Sequence, residues 1–227
     1  MVCMGKRLQG NAEGEVDMMG FGFYNMDCME GMKQFPDKYF DLAIVDPPYG
    51  ISANHNMGRR KKDKASNYKK INWDDRPPDE SYFSELFRVS KNQIIWGANY
   101  FSMPPTKCFI VWRKLQISEN MSFSMLEYAW SSFDSTSKEW IGRSNEPGRI
   151  HPTQKPVALY EWLLNNYAKP GDKILDTHVG SASSLIACYN LGFDYVGFEI
   201  DTDNFAAASE RLETAKSQIS IFDYIER

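Results

Sequence analysis

The tetrapeptide Asp46-Pro47-Pro48-Tyr49 combines residue types that could act on a base. A carboxylate and backbone carbonyls in a rigid turn can accept hydrogen bonds from an exocyclic amino group, and a tyrosine ring can stack on a planar ring. Together these groups would form a cradle for the amino edge of a nucleobase flipped out of a duplex. The alternative is a turn that only ends a strand, because proline cannot donate a backbone hydrogen bond.

The segment before this turn predicts where the turn lies. Residues 42–45 form an apolar run with the length and branched side chains of a buried parallel strand. Pro47 and Pro48 then end the strand. Ligands of open α/β sheets bind at the carboxyl ends of the strands, so we expect Asp46 and Tyr49 at a ligand-binding edge.

A second group of candidate residues lies in residues 173–184. A short predicted strand ends in Asp176, and a loop of small residues containing Gly180 leads into a helix that opens with hydroxyl side chains. Small residues let the backbone approach a ligand, and the helix start offers free N–H donors. Glu199 ends the next predicted strand, where a carboxylate can accept hydrogen bonds from both hydroxyls of a ribose.

The loop predicts the kind of cofactor. A dinucleotide site uses three glycines to hold a pyrophosphate, whereas only Gly180 stands in this loop. The pattern therefore favours a nucleoside cofactor without a pyrophosphate, such as S-adenosylmethionine. The alternative is an ordinary βαβ unit with a tight turn.

Strand-like and helix-like runs alternate along much of the chain, which predicts an α/β protein with a doubly wound, mostly parallel sheet covered on both faces. Two long segments, 52–79 and 113–150, do not fit the alternation and are expected to be irregular and functional. The predicted strands are 21–25, the run ending at Asp46, 93–97, 107–112, 127–133, 173–176 and 195–199, and the predicted helices are 29–35, 80–90, 157–167, 181–191 and 204–218.

Composition narrows the class of protein. The chain has 227 residues, 42% of them hydrophobic, and a formal net charge of −4, which fits a globular protein. Its four cysteines are widely spaced and it has three histidines, so we expect no metal site and reduced thiols in a cytoplasm. No apolar run reaches the length of a membrane span, and no membrane association is expected.

Four motifs in order carry a resemblance to a known family. Besides the tetrapeptide and the cofactor loop, the chain contains His151-Pro152-Thr153-Gln154-Lys155-Pro156 before a helix, and Tyr24-Asn25-Met26-Asp27-Cys28 at a strand end. The chain resembles the beta class of DNA amino-methyltransferases, in which the catalytic tetrapeptide precedes the cofactor loop. The resemblance implies a seven-stranded, S-adenosylmethionine-dependent methyltransferase fold with circularly permuted motif order, in a single domain over residues 1–227.

The cofactor loop departs from the family pattern. Family members usually read Asp-Pro-Phe-x-Gly-x-Gly, whereas this chain has Thr177 and His178 for Pro and Phe, and Ala182 for the second glycine. Alanine fits there if its φ is negative. A histidine keeps a planar ring and adds a polar edge.

The resemblance implies methyl transfer from S-adenosylmethionine to adenine N6 in double-stranded DNA, after base flipping and without a metal. The expected catalytic residues are Asp46, Pro47, Pro48 and Tyr49. The expected cofactor-binding residues are Asp27, Cys28, Asp46, Thr153, Lys155, Asp176, His178, Gly180, Ser181, Ser183 and Glu199. Asp27 and Cys28 would flank the adenine of the cofactor, Glu199 would hold its ribose, and Thr153 and Lys155 are candidates for its carboxylate.

Two segments are candidates for contact with DNA. The 52–79 segment is basic and would neutralise phosphates, and the 113–150 segment is the candidate insert for reading sequence in a groove. The expected DNA-binding residues are Arg59, Arg60, Lys61, Lys62, Lys64, Lys69, Lys70, Arg113, Lys114 and Arg143. A solvated loop is the alternative for the basic segment.

Two other functions remain open at this stage. The same fold could methylate cytosine N4, although the family more often pairs Asp-Pro-Pro-Tyr with adenine. The altered loop could instead belong to an inactive DNA-binding module. The expected location is the cytoplasm of a prokaryotic or phage-infected cell, and homodimer formation, the recognition sequence and membership of a restriction–modification system are left open.

Overall fold

The structure is a computed structural model that describes residues 18–51, 74–117, 124–144, 149–151 and 153–218. These residues form eight β-strands, five α-helices and a short 3₁₀ turn at Ala98–Tyr100. The strands are β1 (Gly22–Asn25), β2 (Phe40–Val45), β3 (Ser90–Trp96), β4 (Cys108–Lys114), β5 (Leu126–Ser131), β6 (Lys138–Gly142), β7 (Lys173–Asp176) and β8 (Asp194–Glu199). The helices are α1 (Cys28–Met32), α2 (Glu80–Val89), α3 (Val157–Tyr167), α4 (Ser183–Leu191) and α5 (Thr202–Ser217).

All described strands belong to one sheet, in the order β1-β8-β7-β2-β3-β5-β4-β6. Neighbouring strands are parallel except where β5 pairs with β3 and β4, which it does in the antiparallel sense. β5 therefore runs against the other seven described strands. Its amino end lies at the edge where the others have their carboxyl ends.

Helices cover both faces of the sheet, which is why residues 42–45 of β2 are all apolar and buried. On one face, Leu42 and Ile44 pack with Leu159 and Leu163 of α3. α4 and α5 join them through a cluster that includes Leu185, Ala208 and Leu212. On the other face, Ala43 and Val45 pack with α1 and α2.

The predicted α/β class with a mostly parallel sheet is confirmed. The number of strands differs, because the resemblance implied seven and the described residues contain eight. The additional strand, β6, lies inside the 113–150 segment that the sequence predicted to be irregular. It pairs with β4 alone at the sheet edge and buries none of its residues fully, so its sequence has a weak hydrophobic signal.

The carboxyl edge of the sheet brings four acidic residues into one row. Glu199 and Asp176 end β8 and β7, and Asp27 and Asp46 follow β1 and β2. Because β1, β8, β7 and β2 are parallel neighbours, the row runs Asp27, Glu199, Asp176, Asp46. The strands that follow β7 and β2 lie on opposite sides, so this edge contains the switch point at which α/β sheets bind ligands.

Candidate active site

Hydrogen bonds hold the Asp46-Pro47-Pro48-Tyr49 turn in one shape. The Tyr49 hydroxyl donates to Asp46 Oδ1 at 2.5 Å. The backbone N–H groups of Tyr49 and Gly50 donate to one oxygen of Asp74, at 2.6 and 2.9 Å. Because the prolines have no N–H, Asp74 bonds the next two backbone donors of the turn.

The ring of Tyr49 is fixed by its neighbours. Gly97 has φ +76°, and a Cβ there would lie 2.2 Å from the ring, so this position needs glycine for both conformation and space. Tyr100 stacks on the ring with centroids 5.0 Å apart and planes 17° apart. A base can stack on that face of Tyr49 only if Tyr100 moves.

A buried lysine connects the turn to a second carboxylate. Lys155 Nζ lies 2.5 Å from Asp46 Oδ2 and 3.1 Å from Glu127 Oε2, and Lys114 also pairs with Glu127. Burial tends to raise the pKa of Glu127, but the two ammonium groups outweigh it and hold that pKa below its usual range. The two carboxylates of this group, Asp46 and Glu127, balance the charges of Lys155 and Lys114. We call these four residues and Tyr49 the transfer half of the site.

The direction of β5 explains why Glu127 reaches this site. Glu127 is the second residue of the antiparallel strand, so it lies at the edge where β2 ends. Lys114 ends the neighbouring β4 at the same edge. The sequence predicts that Glu127 lies in a strand and gives it no role in the site. Its link to Asp46 through Lys155 depends on the direction of that strand.

Three acidic residues predicted to bind the cofactor, Asp27, Asp176 and Glu199, lie side by side in the row, and we call them the cofactor half of the site. Glu199 accepts hydrogen bonds from the backbone N–H groups of Gly180 (3.0 Å) and Asp201 (2.9 Å), and burial raises its pKa. Asp176 accepts from the hydroxyl of Ser184 and from the backbone N–H of His178, and burial raises its pKa to about 7. Within the described ranges, no lysine or arginine forms an ion pair with these three carboxylates.

The loop between β7 and α4 has two residues in the left-handed region. Gly180 has φ +55°, and a Cβ at that position would meet open space. Ala182 has φ +62°. The expectation that alanine fits this position with a negative φ is therefore wrong. A left-handed alanine costs roughly 1 kcal/mol, and Ala182 is fully buried beside Leu185.

Two of the predicted cofactor residues lie at the start of α1. Asp27 Oδ1 accepts the backbone N–H of Met29 at 2.7 Å and caps the helix. Burial raises the pKa of the Cys28 thiol to about 12, so the thiol is protonated at neutral pH. A protonated thiol is a poor nucleophile, in agreement with chemistry that needs no cysteine.

The remaining predicted cofactor residues are directed to different partners. Ser181 and Ser183 contact each other and Arg211 of α5, which bonds the Ser181 carbonyl and the Ser183 hydroxyl. The Thr153 hydroxyl lies 3.0 Å from His151 Nδ1. Lys155 contacts Asp46 and Glu127 in the transfer half.

Most predicted DNA-binding residues lie outside the described residues, namely Arg59, Arg60, Lys61, Lys62, Lys64, Lys69 and Lys70. Arg113 pairs with Glu139 on the surface, and Arg143 is exposed. Lys114 is 15% exposed and directs its ammonium to Glu127, so it is not free for phosphate in this arrangement. The DNA contacts of this whole set stay a prediction.

The described residues contain neither a metal-binding group nor a membrane-spanning helix. They contain no group of three or more histidine, cysteine or acidic side chains placed to hold a metal ion. No described helix has the length and apolar character needed to cross a bilayer.

The fold and the row of carboxylates define an α/β protein with a ligand-binding edge, and two solved structures share this fold. The structure of M1.HpyAVI in complex with SAM superposes with a TM-score of 0.55, at 21% identity, over 83% of this chain and 98% of that one. The structure of the PvuII DNA methyltransferase, described as cytosine-N4-specific, superposes with a TM-score of 0.57, at 13% identity, over 87% of each chain.

Sequence comparison gives the family. The profile of the N6/N4 DNA methylase family matches residues 95–210, just over half of the chain. YubD of Escherichia coli (strain K12), which carries the provisional name of a methylase, is 23% identical over an alignment of 218 positions that covers 84% of this chain and 89% of YubD. The chain belongs to the DNA amino-methyltransferase family.

Proposed function

We propose that this protein transfers a methyl group from S-adenosylmethionine to the exocyclic N6 amino group of adenine in double-stranded DNA, after base flipping. The observation that carries the proposal is the row of Asp27, Glu199, Asp176 and Asp46 along one sheet edge. The row places candidate partners for a cationic nucleoside beside a carboxylate and a tyrosine that suit an amino-bearing base.

The cofactor half suits S-adenosylmethionine by its chemistry. Among the described residues its carboxylates are bonded only by neutral donors, and a cation would offset their charge. Glu199 would hold the ribose hydroxyls, Asp27 would contact the adenine, and Asp176, next to Asp46 in the row, would contact the methionine part. When bound, S-adenosylmethionine supplies a methyl carbon whose bond to sulfur breaks as the bond to the amino nitrogen forms.

The transfer half would position and activate the amino group. Asp46 accepts a hydrogen bond from it, which directs electron density to a nitrogen whose lone pair is otherwise delocalised into the ring. Each carboxylate oxygen of Asp46 already accepts one bond and keeps a further lone pair for the base. The Pro47 carbonyl is a second acceptor, and Tyr49 would stack on the base and offset part of the unstacking cost, a few kcal/mol.

Adenine is our first choice of target because family members more often pair Asp-Pro-Pro-Tyr with adenine. Cytosine N4 is the second candidate, because the PvuII enzyme with the same fold is described as cytosine-N4-specific. Both targets are exocyclic amines, and the contacts proposed for Asp46 and Tyr49 suit either. We also propose that the protein acts in a bacterial cytoplasm, alone or within a restriction–modification system.

Incubation of unmodified DNA with methyl-labelled S-adenosylmethionine, followed by nucleoside analysis, tests the proposal. We expect label in N6-methyladenine. Label in N4-methylcytosine would overturn the choice of base and keep the chemistry. No label in DNA, from protein shown to be folded, would favour an RNA substrate if S-adenosylhomocysteine still binds, and an inactive DNA-binding module if it does not.

A further inference from the structure

A chain of hydrogen bonds connects helix α2 to the cofactor loop. The hydroxyl of Tyr82 lies 2.6 Å from Thr177 Oγ1, and Thr177 Oγ1 lies 2.9 Å from His178 Nδ1. Tyr82 and Thr177 are 4% and 2% exposed, so solvent does not compete for these bonds. The rings of Tyr82 and His178 also meet edge to face, with centroids 5.3 Å apart.

The direction of donation follows from the need to satisfy each buried group. The Tyr82 hydroxyl has no other partner among the described residues, so its proton must be donated to Thr177 Oγ1. The proton of Thr177 is then available to donate to His178 Nδ1. The opposite direction would leave the buried phenol proton of Tyr82 without an acceptor.

This direction decides which nitrogen of His178 carries the proton. Burial lowers the pKa of His178 to about 4, so the ring is neutral at physiological pH. A neutral ring that accepts at Nδ1 carries its proton at Nε2. No protein group in the described part of the chain bonds Nε2, and the ring is only partly buried.

We propose that Tyr82 is a positioning residue that acts through Thr177 to hold His178 as the Nε2–H tautomer, so that Nε2–H donates to an acceptor atom of the bound nucleoside cofactor. This inference rests on the proposed cofactor site. It also accounts for two departures from the family pattern, because Thr177 and His178 replace a proline and a phenylalanine that could form no such chain. His178 then contributes a directed donor where the family has an apolar ring.

Nitrogen NMR of ¹⁵N-histidine-labelled protein tests the tautomer without any ligand. The chain has three histidines, and His178→Phe identifies the signals of His178 by their loss. We expect the Nε2–H tautomer in the parent protein and a mixture in Tyr82→Phe, because Thr177 can then either donate to Nδ1 or accept from it. Tyr39→Phe removes a phenol elsewhere and should leave the signals unchanged. An Nδ1–H tautomer in the parent, or an unchanged tautomer in Tyr82→Phe, would overturn the relay.

Calorimetric binding of S-adenosylhomocysteine tests the contact with the cofactor. We expect His178→Phe to weaken binding by about fivefold, the size of one hydrogen bond. Tyr82→Phe should weaken it by about twofold, because a mixture of tautomers still contains the competent one, and the double variant should bind no more weakly than His178→Phe alone. Additive losses, or full affinity in His178→Phe, would overturn the proposed contact. If the folded parent protein binds no S-adenosylhomocysteine, the cofactor assignment itself fails, while the NMR result still decides the relay.

Discussion

In the transfer half of the site, Asp46 and Glu127 are each bonded to a lysine ammonium. In the cofactor half, the described part of the chain offers Asp176 and Glu199 only neutral N–H and O–H donors. The pKa values follow this difference. The lysines hold the pKa of Glu127 below its usual range against the effect of burial, and burial raises the pKa of Asp176 to about 7.

The difference indicates what each half is built to receive. The charge-balanced transfer half can admit a neutral amino group without a change in net charge. The cofactor half has carboxylates without cationic partners among the described residues, and it therefore favours a ligand that brings positive charge. S-adenosylmethionine, with its sulfonium and α-ammonium groups, brings positive charge to the cofactor half. A neutral base suits the charge-balanced transfer half.

The largest expected effect separates the two halves. Asp46→Ala should lower methyl transfer by about a thousandfold or more, because the amino group loses its carboxylate acceptor, while cofactor affinity stays within about twofold. Single-turnover transfer and calorimetric binding of S-adenosylhomocysteine measure the two. Asp134→Ala, at an exposed surface pair, is the matched control. Transfer at the parent rate in Asp46→Ala would show that the active site is wrongly assigned.

Lys155→Met should break the charge balance of the transfer half. It leaves Asp46 and Glu127 facing Lys114 alone in a buried site, so we expect a loss of about 3 kcal/mol in the free energy of unfolding. Lys91→Met, at an exposed pair with Asp41, should cost less than about 1 kcal/mol. Urea denaturation compares them. Adding Glu127→Gln should restore part of the loss, and an unchanged stability in Lys155→Met would contradict the pairing.

Asp176 should make stability depend on pH in the cofactor half. The pKa of Asp176 is about 7 in the folded protein, against an ordinary value of 3.8. Between about pH 4 and about pH 7 the folded state therefore keeps a proton on Asp176 that the unfolded state has lost. Stability should therefore fall by up to about 1.4 kcal/mol per unit as pH rises from about 4 to about 7. Asp176→Asn should reduce this slope in urea titrations. A parent slope that survives the substitution would assign the effect to other groups.

The smallest expected effect lies outside both halves. Arg143→Ala should weaken DNA binding by about threefold and reduce the salt dependence by about one phosphate contact, without changing cofactor affinity. Fluorescence anisotropy at several salt concentrations measures this. Lys169→Ala, an exposed charge before β7 at the opposite sheet edge, is the control. Equal losses in both variants would indicate a general charge effect in place of a contact at Arg143.

Local signals in the sequence predicted the strand ends at Asp46, Asp176 and Glu199. An apolar run followed by prolines or small residues specifies a strand and its end within a few positions, and the parallel order then places the three acids on one edge. The start of α4 was predicted two residues early, because the left-handed residue Ala182 delays the first turn until Ser183.

Contacts that depend on tertiary arrangement were not predicted. Glu127 reaches Lys155 only because β5 runs antiparallel to its neighbours, and no pattern within β5 states that direction. Tyr82 lies in the predicted helix 80–90 and its ring packs in the apolar core, so the sequence gives no signal for the contact of its hydroxyl with Thr177. Asp74 lies within the 52–79 segment, which was interpreted from its basic residues, so no role was predicted for this acid.

The contact between Asp74 and the turn at Tyr49 has a consequence for how this protein can vary. The chain leaves the turn after Gly50 and is again beside it at Asp74, so the two ends of the intervening segment are held together whatever that segment contains. Doubling the length of a loop closed in this way costs only about 0.6 kcal/mol of chain entropy. A basic segment here can therefore be lengthened, shortened or exchanged during evolution with little effect on Asp46, so the proposed DNA contacts could diversify while the proposed reaction stays the same.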